Sequence, residues 1–375
     1  MRDYNSGVSR RRVLELTGGT LATAGLASTA GASDGLTEFN VGYSTAAGRR
    51  AAVDAGAEVK REFNFDALTI RATAEAAAGL ENRPDVRYVE ENGTWRALGQ
   101  TTPYGIEKVD ADEAHDDGET GDGAHVAVID TGIDPNHEDL AANVGEGEAF
   151  ASCRSGQCSA DWDDDDGHGT HCAGTVGAID NDLGVIGVAP DVTLHSAKVL
   201  DNTGRGSWDD IAAAIEWTAD QGYDVGSMSL GGSSGSGVVA DACEYADDEG
   251  VLLVAAAGNS GPCTDCVGYP AAYDEVVAVS ATDENDDLAG FSSTGPEVEL
   301  AAPGVGVLST LPGDDYDEYS GTSMACPHVA GAGAILMANG ASNDKARSDL
   351  HNGADDIGLD DNEQGHGRLN VADSL

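Results

Sequence analysis

Three short motifs, far apart along the sequence, each contain a residue suited to proton transfer or nucleophilic attack. They are HVAVIDTGID with Asp130, DGHGTHCAG with His168, and GTSMACPHVAG with Ser323. A serine hydroxyl is a weak nucleophile near neutral pH and needs an adjacent base to accept its proton. A histidine can be that base, and a carboxylate can orient its imidazole ring. The residue types therefore fit one nucleophilic site, provided that folding brings the three side chains together.

Each motif taken alone has a simpler interpretation. An aspartate at a strand end, such as Asp130, commonly caps a turn, and a serine at a helix start, such as Ser323, is commonly an N-cap. His168 could bind a metal, but the zinc-protease helix needs His-Glu-x-x-His, and no glutamate separates His168 from His171. The serine motif is not the Gly-x-Ser-x-Gly elbow either, because Ala325 fills its last position.

From Tyr104 onward, apolar segments typical of buried strands alternate with segments typical of helices, and these elements must position the three residues. This alternation predicts an α/β fold with a parallel β-sheet flanked by helices. In such folds, functional residues gather where strands end and helices begin. The predicted strands are HVAVID, VTLHSAKVL, VGSMSL, GVLLVAAAG and EVVAVSA. The predicted helices are HGTHCAGTVGAI, SWDDIAAAIEWTADQ, GVVADACEYADDEG and SMACPHVAGAGAILMANG.

The order Asp, His, Ser on such a pattern is that of the subtilisin-like serine proteases. The sequence resembles this family from about Gln100 to its end, and within it the exported halophilic archaeal members called halolysins. The resemblance implies a serine endopeptidase that hydrolyses proteins through an acyl-enzyme intermediate. Other matching segments are TTPYG, GVIGVAP, MSLGG, AAAGNSG, VGYPAAYDEVVAVSATD, ELAAPG and GHGRLNV.

The resemblance also implies a role for each catalytic residue. Ser323 would be the nucleophile, and His168 the general base and then the acid that protonates the leaving amine. Asp130 would orient the imidazole ring and stabilise its charged form. Asn259 would donate to the oxyanion together with a backbone N–H at the start of the serine helix. Without the other motifs, Asn259 would be interpreted as an ordinary turn residue.

Peptide substrate is expected to bind as an added β-strand between two segments, as in the family. The segments are NTGRG and SLGG, although NTGRG by itself is also typical of a plain turn. Small, uncharged residues around the side chain before the cut favour apolar or aromatic substrates. The implied substrate-binding residues are Gly204, Arg205, Gly206, Ser229, Leu230, Gly231, Ala256, Ala257 and Gly258.

Calcium is the expected structural cofactor, and no catalytic metal is expected. The segment AIDNDLGVIG resembles the family's calcium loop. The acidic run at 163–166, with Asp161, could form a second calcium site or a solvated acidic loop, and the sequence leaves both open. The implied ligands of the first site are Gln100, Asp139, Ile179, Asn181, Leu183 and Val185.

The N-terminal third of the sequence is expected to contain two further parts. Residues 1–33, with Arg10, Arg11 and Arg12 before a weakly apolar stretch, resemble a twin-arginine signal peptide and predict secretion. Residues 34–98 alternate as strands do around the helical segment TAEAAAGLENRP, which predicts a small α+β module. The resemblance implies that this module is an inhibitory prodomain, although a permanent extra domain is the alternative. Residues 99–375 then form the peptidase domain.

The composition limits the partners of the protein. Its formal net charge is −48, from 67 Asp and Glu against 19 Lys and Arg, which excludes a nucleic-acid partner by repulsion. Because the acids are spread along the chain, they predict a surface adapted to concentrated salt rather than an acidic tail. We expect protein and peptide substrates, the chain's own prodomain as inhibitor, no membrane-spanning segment and a monomeric enzyme.

Seven cysteines leave at least one thiol unpaired within the chain. Cys153 with Cys158, and Cys263 with Cys266, could each form a local disulfide outside the cell. A zinc site would need a second matching Cys-x-x-Cys pair. Cys172, beside the histidine motif, is expected to be a packed thiol.

Two other functions are considered for this chain. One is an inactive binding protein, which the presence of all three triad residues disfavours. The other is an esterase with the same triad, which the peptide-binding segments disfavour.

Overall fold

The computed structural model describes residues 36–92, 99–151 and 161–375. The described residues fall into two compact units, one up to residue 92 and the other from residue 99 onward. The predicted signal peptide and the Cys153–Cys158 pair lie outside the described residues. The structure joins Cys263 and Cys266 as a disulfide.

The first unit is an α+β module built on a four-stranded sheet in the order β2-β3-β1-β4. Strand β1 pairs antiparallel with both β3 and β4. Both helices begin at a threonine N-cap whose side chain accepts a backbone N–H. Helix α1 was not among the predicted elements. The elements are β1 (Thr37–Tyr43), α1 (Ala46–Ala55), β2 (Glu58–Phe63), β3 (Ala67–Ala72), α2 (Ala74–Glu81) and β4 (Val86–Glu91).

The second unit contains a seven-stranded parallel sheet in the order β11-β10-β9-β8-β5-β7-β6. The predicted fold class is therefore confirmed. Consecutive side chains of β5 enter different cores, since Val126 and Val128 belong to one core, and Ala127 and Ile129 to the other. The strands are β5 (His125–Asp130), β6 (Val144–Ala149), β7 (Thr193–Lys198), β8 (Val225–Met228), β9 (Leu252–Ala256), β10 (Val276–Thr282) and β11 (Val298–Pro303).

Helices cover both faces of this sheet. Residues of α5 and α8 fill one core, and residues of α6 and α7 fill the other. Helix α8 is almost entirely buried, which its run of small and apolar residues permits. The helices are α3 (Tyr104–Lys108), α4 (Ala111–Asp116), α5 (His168–Gly177), α6 (Trp208–Asp220), α7 (Gly237–Asp248), α8 (Thr322–Ala338), α9 (Asn343–Gly353), α10 (Asp361–Gln364) and α11 (Val371–Ser374). A two-stranded hairpin, β12 (Val307–Leu311) and β13 (Asp315–Tyr319), precedes α8.

The fold places the three motifs at element ends. Asp130 is the last residue of β5, His168 is the first residue of α5, and Ser323 is the second residue of α8. Within the described part of the chain, none of the helices combines the length and apolarity needed to cross a membrane.

Candidate active site

Asp130 and His168 form a hydrogen-bonded pair at the end of β5. The His168 Nδ1–H donates to Asp130 Oδ1 at 2.8 Å, and the Thr131 backbone N–H donates to the same oxygen at 2.7 Å. Asp130 is fully buried, whereas 26% of the His168 side chain is exposed. The carboxylate therefore fixes Nδ1 as the protonated ring nitrogen and leaves Nε2 as an acceptor.

Electrostatics at this pair favour the charged ring. Burial of the imidazole opposes protonation, but the Asp130 carboxylate, followed by Cys172, outweighs that effect. The pKa of His168 consequently lies well above its ordinary value. An imidazolium formed at this position is stabilised by the carboxylate beside it.

A close approach between α5 and the loop after β5 holds the pair together. A Cβ atom on Gly169 would lie 2.2 Å from the carbonyl oxygen of Gly132. The helix N-cap, Gly167, has a φ of 108°, a left-handed conformation that side-chain-bearing residues rarely adopt. The glycines of the DGHGTHCAG motif are thus needed for the position of His168.

Ser323 faces the strand end of β8. Its Oγ–H donates to the Ser229 carbonyl oxygen at 3.1 Å, and the Ser229 hydroxyl donates to the Ser323 carbonyl oxygen at 2.7 Å. The helix N-cap is Gly321, so Ser323 does not serve as the cap. Among the described residues, no hydrogen bond joins Ser323 Oγ to His168.

Cys172 contacts both His168 and Ser323. Its Sγ is 4.0 Å from His168 Nδ1 and donates to the Ser323 carbonyl oxygen at 3.5 Å. One buried thiol therefore contacts both the imidazole ring of His168 and the backbone of Ser323. The thiol is packed, as expected, and burial raises its pKa.

The acidic run before His168 forms hydrogen bonds and an ion pair with neighbouring elements of the fold. Asp164 Oδ1 accepts from the Thr131 hydroxyl at 2.8 Å and from the Gly167 N–H at 2.9 Å. Asp164 Oδ2 accepts from the backbone N–H and the hydroxyl of Thr170. Asp165 pairs with Lys198, which is 1% exposed. These contacts tie the loop to β5, β7 and the first turn of α5.

Asn259 lies beside the start of α8 with its amide orientation fixed. Its Oδ1 accepts from the Thr322 backbone N–H at 3.0 Å and from the Thr322 hydroxyl at 3.1 Å. Asn259 is exposed, whereas Thr322 is fully buried. Because the oxygen is occupied, the Nδ2 amide is the group left to donate to a ligand. Sequence reasoning did not identify Thr322 as the residue that orients it.

A cleft of about 640 Å³ runs past His168. Six predicted substrate-binding residues line it, namely those at 204–206 and 229–231. The other three are not among its lining residues. Ala256 and Ala257 are buried, and the Ala257 carbonyl accepts from the Gly268 N–H at 2.8 Å. Lining residues that were not predicted include Leu200, Trp208, Ile211, Val239, Tyr269 and Tyr273. Trp208 is 55% exposed and lies two residues after NTGRG, a position from which the sequence could have indicated it.

All six predicted calcium ligands gather in one place. The Gln100 Nε2 amide donates to the carbonyl oxygens of Ile179 at 2.7 Å and Val185 at 3.0 Å. The Asn181 amide donates to Asp139 Oδ1 at 3.1 Å and accepts from the Leu183 N–H at 2.8 Å. Asp139 is fully buried. These carbonyl, amide and carboxylate oxygens are the donor set that Ca²⁺ prefers.

Comparison with known proteins agrees with this geometry. Residues 121–367 match the model of the subtilase family. The chain is 42% identical to Subtilisin E of Bacillus subtilis (strain 168) over 285 residues, which cover 75% of the chain and 73% of that protein. It is 43% identical to Alkaline elastase YaB of Bacillus sp. (strain YaB) over 310 residues, 82% of the chain and 79% of that protein. M-protease of Shouchella clausii (strain KSM-K16) is 42% identical over 317 residues, 84% of the chain and 80% of that protein.

Proposed function

Since the chain belongs to the subtilase family and is a serine endopeptidase, we propose that Ser323, His168 and Asp130 form its catalytic triad. The observation that carries this proposal is the 2.8 Å hydrogen bond between His168 Nδ1 and the buried Asp130 carboxylate, at the wall of a cleft. It leaves His168 Nε2 free to accept the Ser323 proton.

The reaction begins when Ser323 Oγ leaves the Ser229 carbonyl and donates its proton to His168 Nε2. The oxygen attacks the peptide carbonyl carbon, and the π electrons move onto the carbonyl oxygen. The Asn259 Nδ2–H and the backbone N–H of Ser323 donate to that oxyanion. His168 then gives its proton to the leaving amine as the C–N bond breaks. Water then gives a proton to His168 Nε2 and attacks the carbonyl carbon of the acyl-enzyme. As the ester bond breaks, His168 returns the proton to Ser323 Oγ and the serine is restored.

Hydrolysis of casein and of a small ester tests this proposal against its rivals. A peptidase cleaves casein, whereas an esterase cleaves only the small ester and an inactive binding protein cleaves neither. We expect both substrates to be cleaved by the same preparation and both activities to disappear together after a serine-directed reagent. Loss of ester hydrolysis without loss of casein hydrolysis would contradict the assignment.

Asn259→Ala is expected to lower kcat by about 100- to 1000-fold, the usual effect of removing one oxyanion donor. The KM should change little, because the oxyanion forms only after binding. Steady-state kinetics on one chromogenic peptide measure both constants. Asn339→Ala, an exposed asparagine at the other end of α8, is the matched control. An unchanged kcat in Asn259→Ala would remove this residue from the mechanism.

The cleft supports a preference for apolar or aromatic substrate side chains. Leu200, Trp208, Ile211 and Tyr269 line its walls. Backbone groups at Gly204 and Gly206 on one side, and at Leu230 and Gly231 on the other, can pair with an extended peptide. A set of peptides that differ only in the residue before the cut measures the preference. A strong preference for Lys or Arg would contradict it.

Calcium is proposed as a structural cofactor of the site formed by Gln100, Asp139 and Asn181 with three backbone carbonyls. Thr101, near the start of the peptidase domain, forms a β-bridge with Val185 in the loop at 179–185. A bound ion would strengthen this connection between the loop and the start of the domain. It would supply no chemistry to the reaction, since none of these residues lines the cleft.

Removal of calcium by a chelator is expected to lower the melting temperature. Binding at a free concentration 100-fold above Kd stabilises a fold by about 2.7 kcal/mol, which the chelator withdraws. Thermal denaturation with and without chelator measures the shift. Gln100→Ala should abolish most of it, whereas Asp161→Asn in the acidic loop should not. No shift in the wild-type protein would contradict the site, and a shift that persists in Gln100→Ala would assign the ion elsewhere.

We further propose that the protein resembles the halolysins in working in concentrated salt. A net charge of −48 with only 19 basic residues is strongly self-repelling in dilute solution. At about 1 M salt the Debye length falls to roughly 3 Å, which screens this repulsion. Activity and melting temperature should both rise with KCl concentration. Full stability in dilute buffer would contradict the proposal.

Export through the twin-arginine pathway and inhibition by a prodomain are also proposed. Residues 1–33 would direct export and be removed, and residues 34–98 would inhibit the peptidase until cleavage near residues 98–100. The N-terminal sequence of the protein recovered from the medium tests both steps. Retention of Arg10–Arg12 in the secreted protein would contradict the signal, and an active secreted enzyme that keeps residues 34–98 would contradict the prodomain.

A further inference from the structure

Arg205 differs from the other basic residues of the peptidase domain. Residues 99–375 hold most of the 67 acidic residues of the chain but a minority of its 19 basic ones. Within the described part of this domain, every Lys and Arg except Arg205 forms an ion pair. The pairs are Lys108–Asp286, Lys198–Asp165, Lys345–Asp349, Arg347–Glu299 and Arg368–Asp286. Arg205 is exposed and has no carboxylate partner among the described residues.

The same residue lines the substrate cleft. Apart from His168, the charged residues that line this cleft are Arg205 and Asp166. Trp208 and Ile211, which follow Arg205 in the sequence, are also lining residues. A guanidinium stays protonated at every pH at which proteins are stable. The cleft therefore presents one permanent positive charge on a wall that also carries apolar side chains.

Hydrogen bonds within the loop hold the backbone of Arg205 in place. The Asp201 N–H donates to the Arg205 carbonyl oxygen at 2.9 Å, and the Arg205 N–H donates to Asp201 Oδ1 at 3.3 Å. The Thr203 N–H and hydroxyl donate to the same Asp201 oxygen at 2.9 Å and 2.6 Å. A Cβ atom on Gly206 would lie 2.3 Å from the Val199 carbonyl oxygen, so the loop packs closely against the end of β7. The loop therefore fixes the point from which the Arg205 side chain extends.

We propose that Arg205 is a specificity-determining residue that selects a Glu or Asp side chain in the substrate, upstream of the residue before the cut. An extended peptide paired with residues 204–206 carries its side chains past the guanidinium. A guanidinium and a carboxylate form two parallel N–H···O bonds, which gives this pair both strength and a defined geometry. The inference rests on the proposed function, because it adds a charge preference to the substrates of the same cleft.

The charge of the rest of the domain makes this preference recognisable. A strongly acidic protein repels an acidic peptide wherever the carboxylate lies in it, because the field of the whole surface acts on the peptide. A contact with Arg205 acts only on the substrate position that faces the guanidinium. A carboxylate should consequently be neutral or unfavourable at most positions of a peptide and favourable at one.

The test measures kcat/KM for peptides that share one apolar residue before the cut and carry Glu, Gln or Lys at each upstream position in turn. Measurements use the lowest KCl concentration at which the wild type is stable, so that the ion pair is screened least. We expect the wild type to prefer Glu over Gln by about fivefold at one position, the upper range for an exposed ion pair. The preference should disappear in Arg205→Gln, and Arg205→Glu should prefer Lys over Glu at that position.

Lys345→Gln is the matched control, because it also removes one positive charge but lies in α9 and not among the residues that line the cleft. It should keep the preference for Glu. Equal kcat/KM for Glu and Gln at every upstream position in the wild type, or a preference for Glu that persists in Arg205→Gln, would overturn the inference. Cleavage of the peptides without any charge preference leaves the peptidase assignment intact, whereas a wild type that cleaves none of them refutes both.

Discussion

Ser323→Ala is expected to lower kcat for peptide hydrolysis by on the order of 10⁶-fold. The substitution removes the oxygen that forms the acyl-enzyme, and no nearby hydroxyl replaces it, because the Ser229 hydroxyl is committed to the Ser323 carbonyl oxygen at 2.7 Å. Single-turnover assays with a sensitive fluorogenic peptide measure the residual rate. Far-ultraviolet circular dichroism should remain that of the wild type, since the hydroxyl makes only the one hydrogen bond to the Ser229 carbonyl oxygen among the described residues.

The same variant tests how the chain is processed. If the enzyme cleaves its own prodomain, purified Ser323→Ala should retain residues 34–98, whereas the active enzyme loses them. Ser229→Ala provides a comparison, because it removes the hydroxyl that donates to the Ser323 carbonyl oxygen but keeps the nucleophile and the carbonyl that accepts from it. Casein hydrolysis by Ser323→Ala within tenfold of the wild type would refute the assignment of the nucleophile.

Asp130→Asn is expected to lower kcat/KM by about 10⁴-fold near neutral pH. An amide in place of the carboxylate no longer fixes the Nδ1 tautomer of His168 and no longer stabilises the imidazolium. The pH profile should also change. The wild-type carboxylate raises the pKa of His168, so the neutral, basic form is lost as pH falls through that raised value. Without the carboxylate the pKa falls, and the acidic limb of the residual activity should move to lower pH.

Measurement of kcat/KM across the pH range separates these two effects. Asp220→Asn, which removes an exposed carboxylate bonded to Tyr245, is the control for a change of net charge. It should leave both the rate and the position of the acidic limb as in the wild type. A limb that does not move in Asp130→Asn would mean that another group sets the protonation of His168.

The sheet and its principal helices could be predicted because their sequences carry strong periodic signals. HVAVID and GVLLVAAAG are continuous apolar runs, and β5 and β9 are buried on both faces as such runs require. The segments around His168 and Ser323 begin helices where glycines and small residues indicated. The positions of the motifs at element ends followed from this pattern.

The details of the cleft could not be predicted, because they depend on contacts between distant segments. Nothing local to AAAGNSG indicates that Ala257 and Gly258 are held by neighbouring backbone instead of lining the cleft. The contact of Thr322 with the Asn259 amide spans 63 residues. The closeness of Cys172 to His168 could have been anticipated from its i, i+4 spacing, but its contact with the Ser323 carbonyl oxygen requires the fold.

Covalent labelling with a serine-directed organophosphorus reagent tests the central assignment most directly. The labelled protein is digested, and mass spectrometry locates the adduct while casein hydrolysis is followed in the same sample. We expect one adduct per chain, on Ser323, with activity lost in proportion to labelling and no adduct in Asp130→Asn or His168→Ala over the same time. An adduct on a different residue that accompanies the loss of activity, or full activity in protein labelled at Ser323, would contradict the catalytic triad proposed for this enzyme.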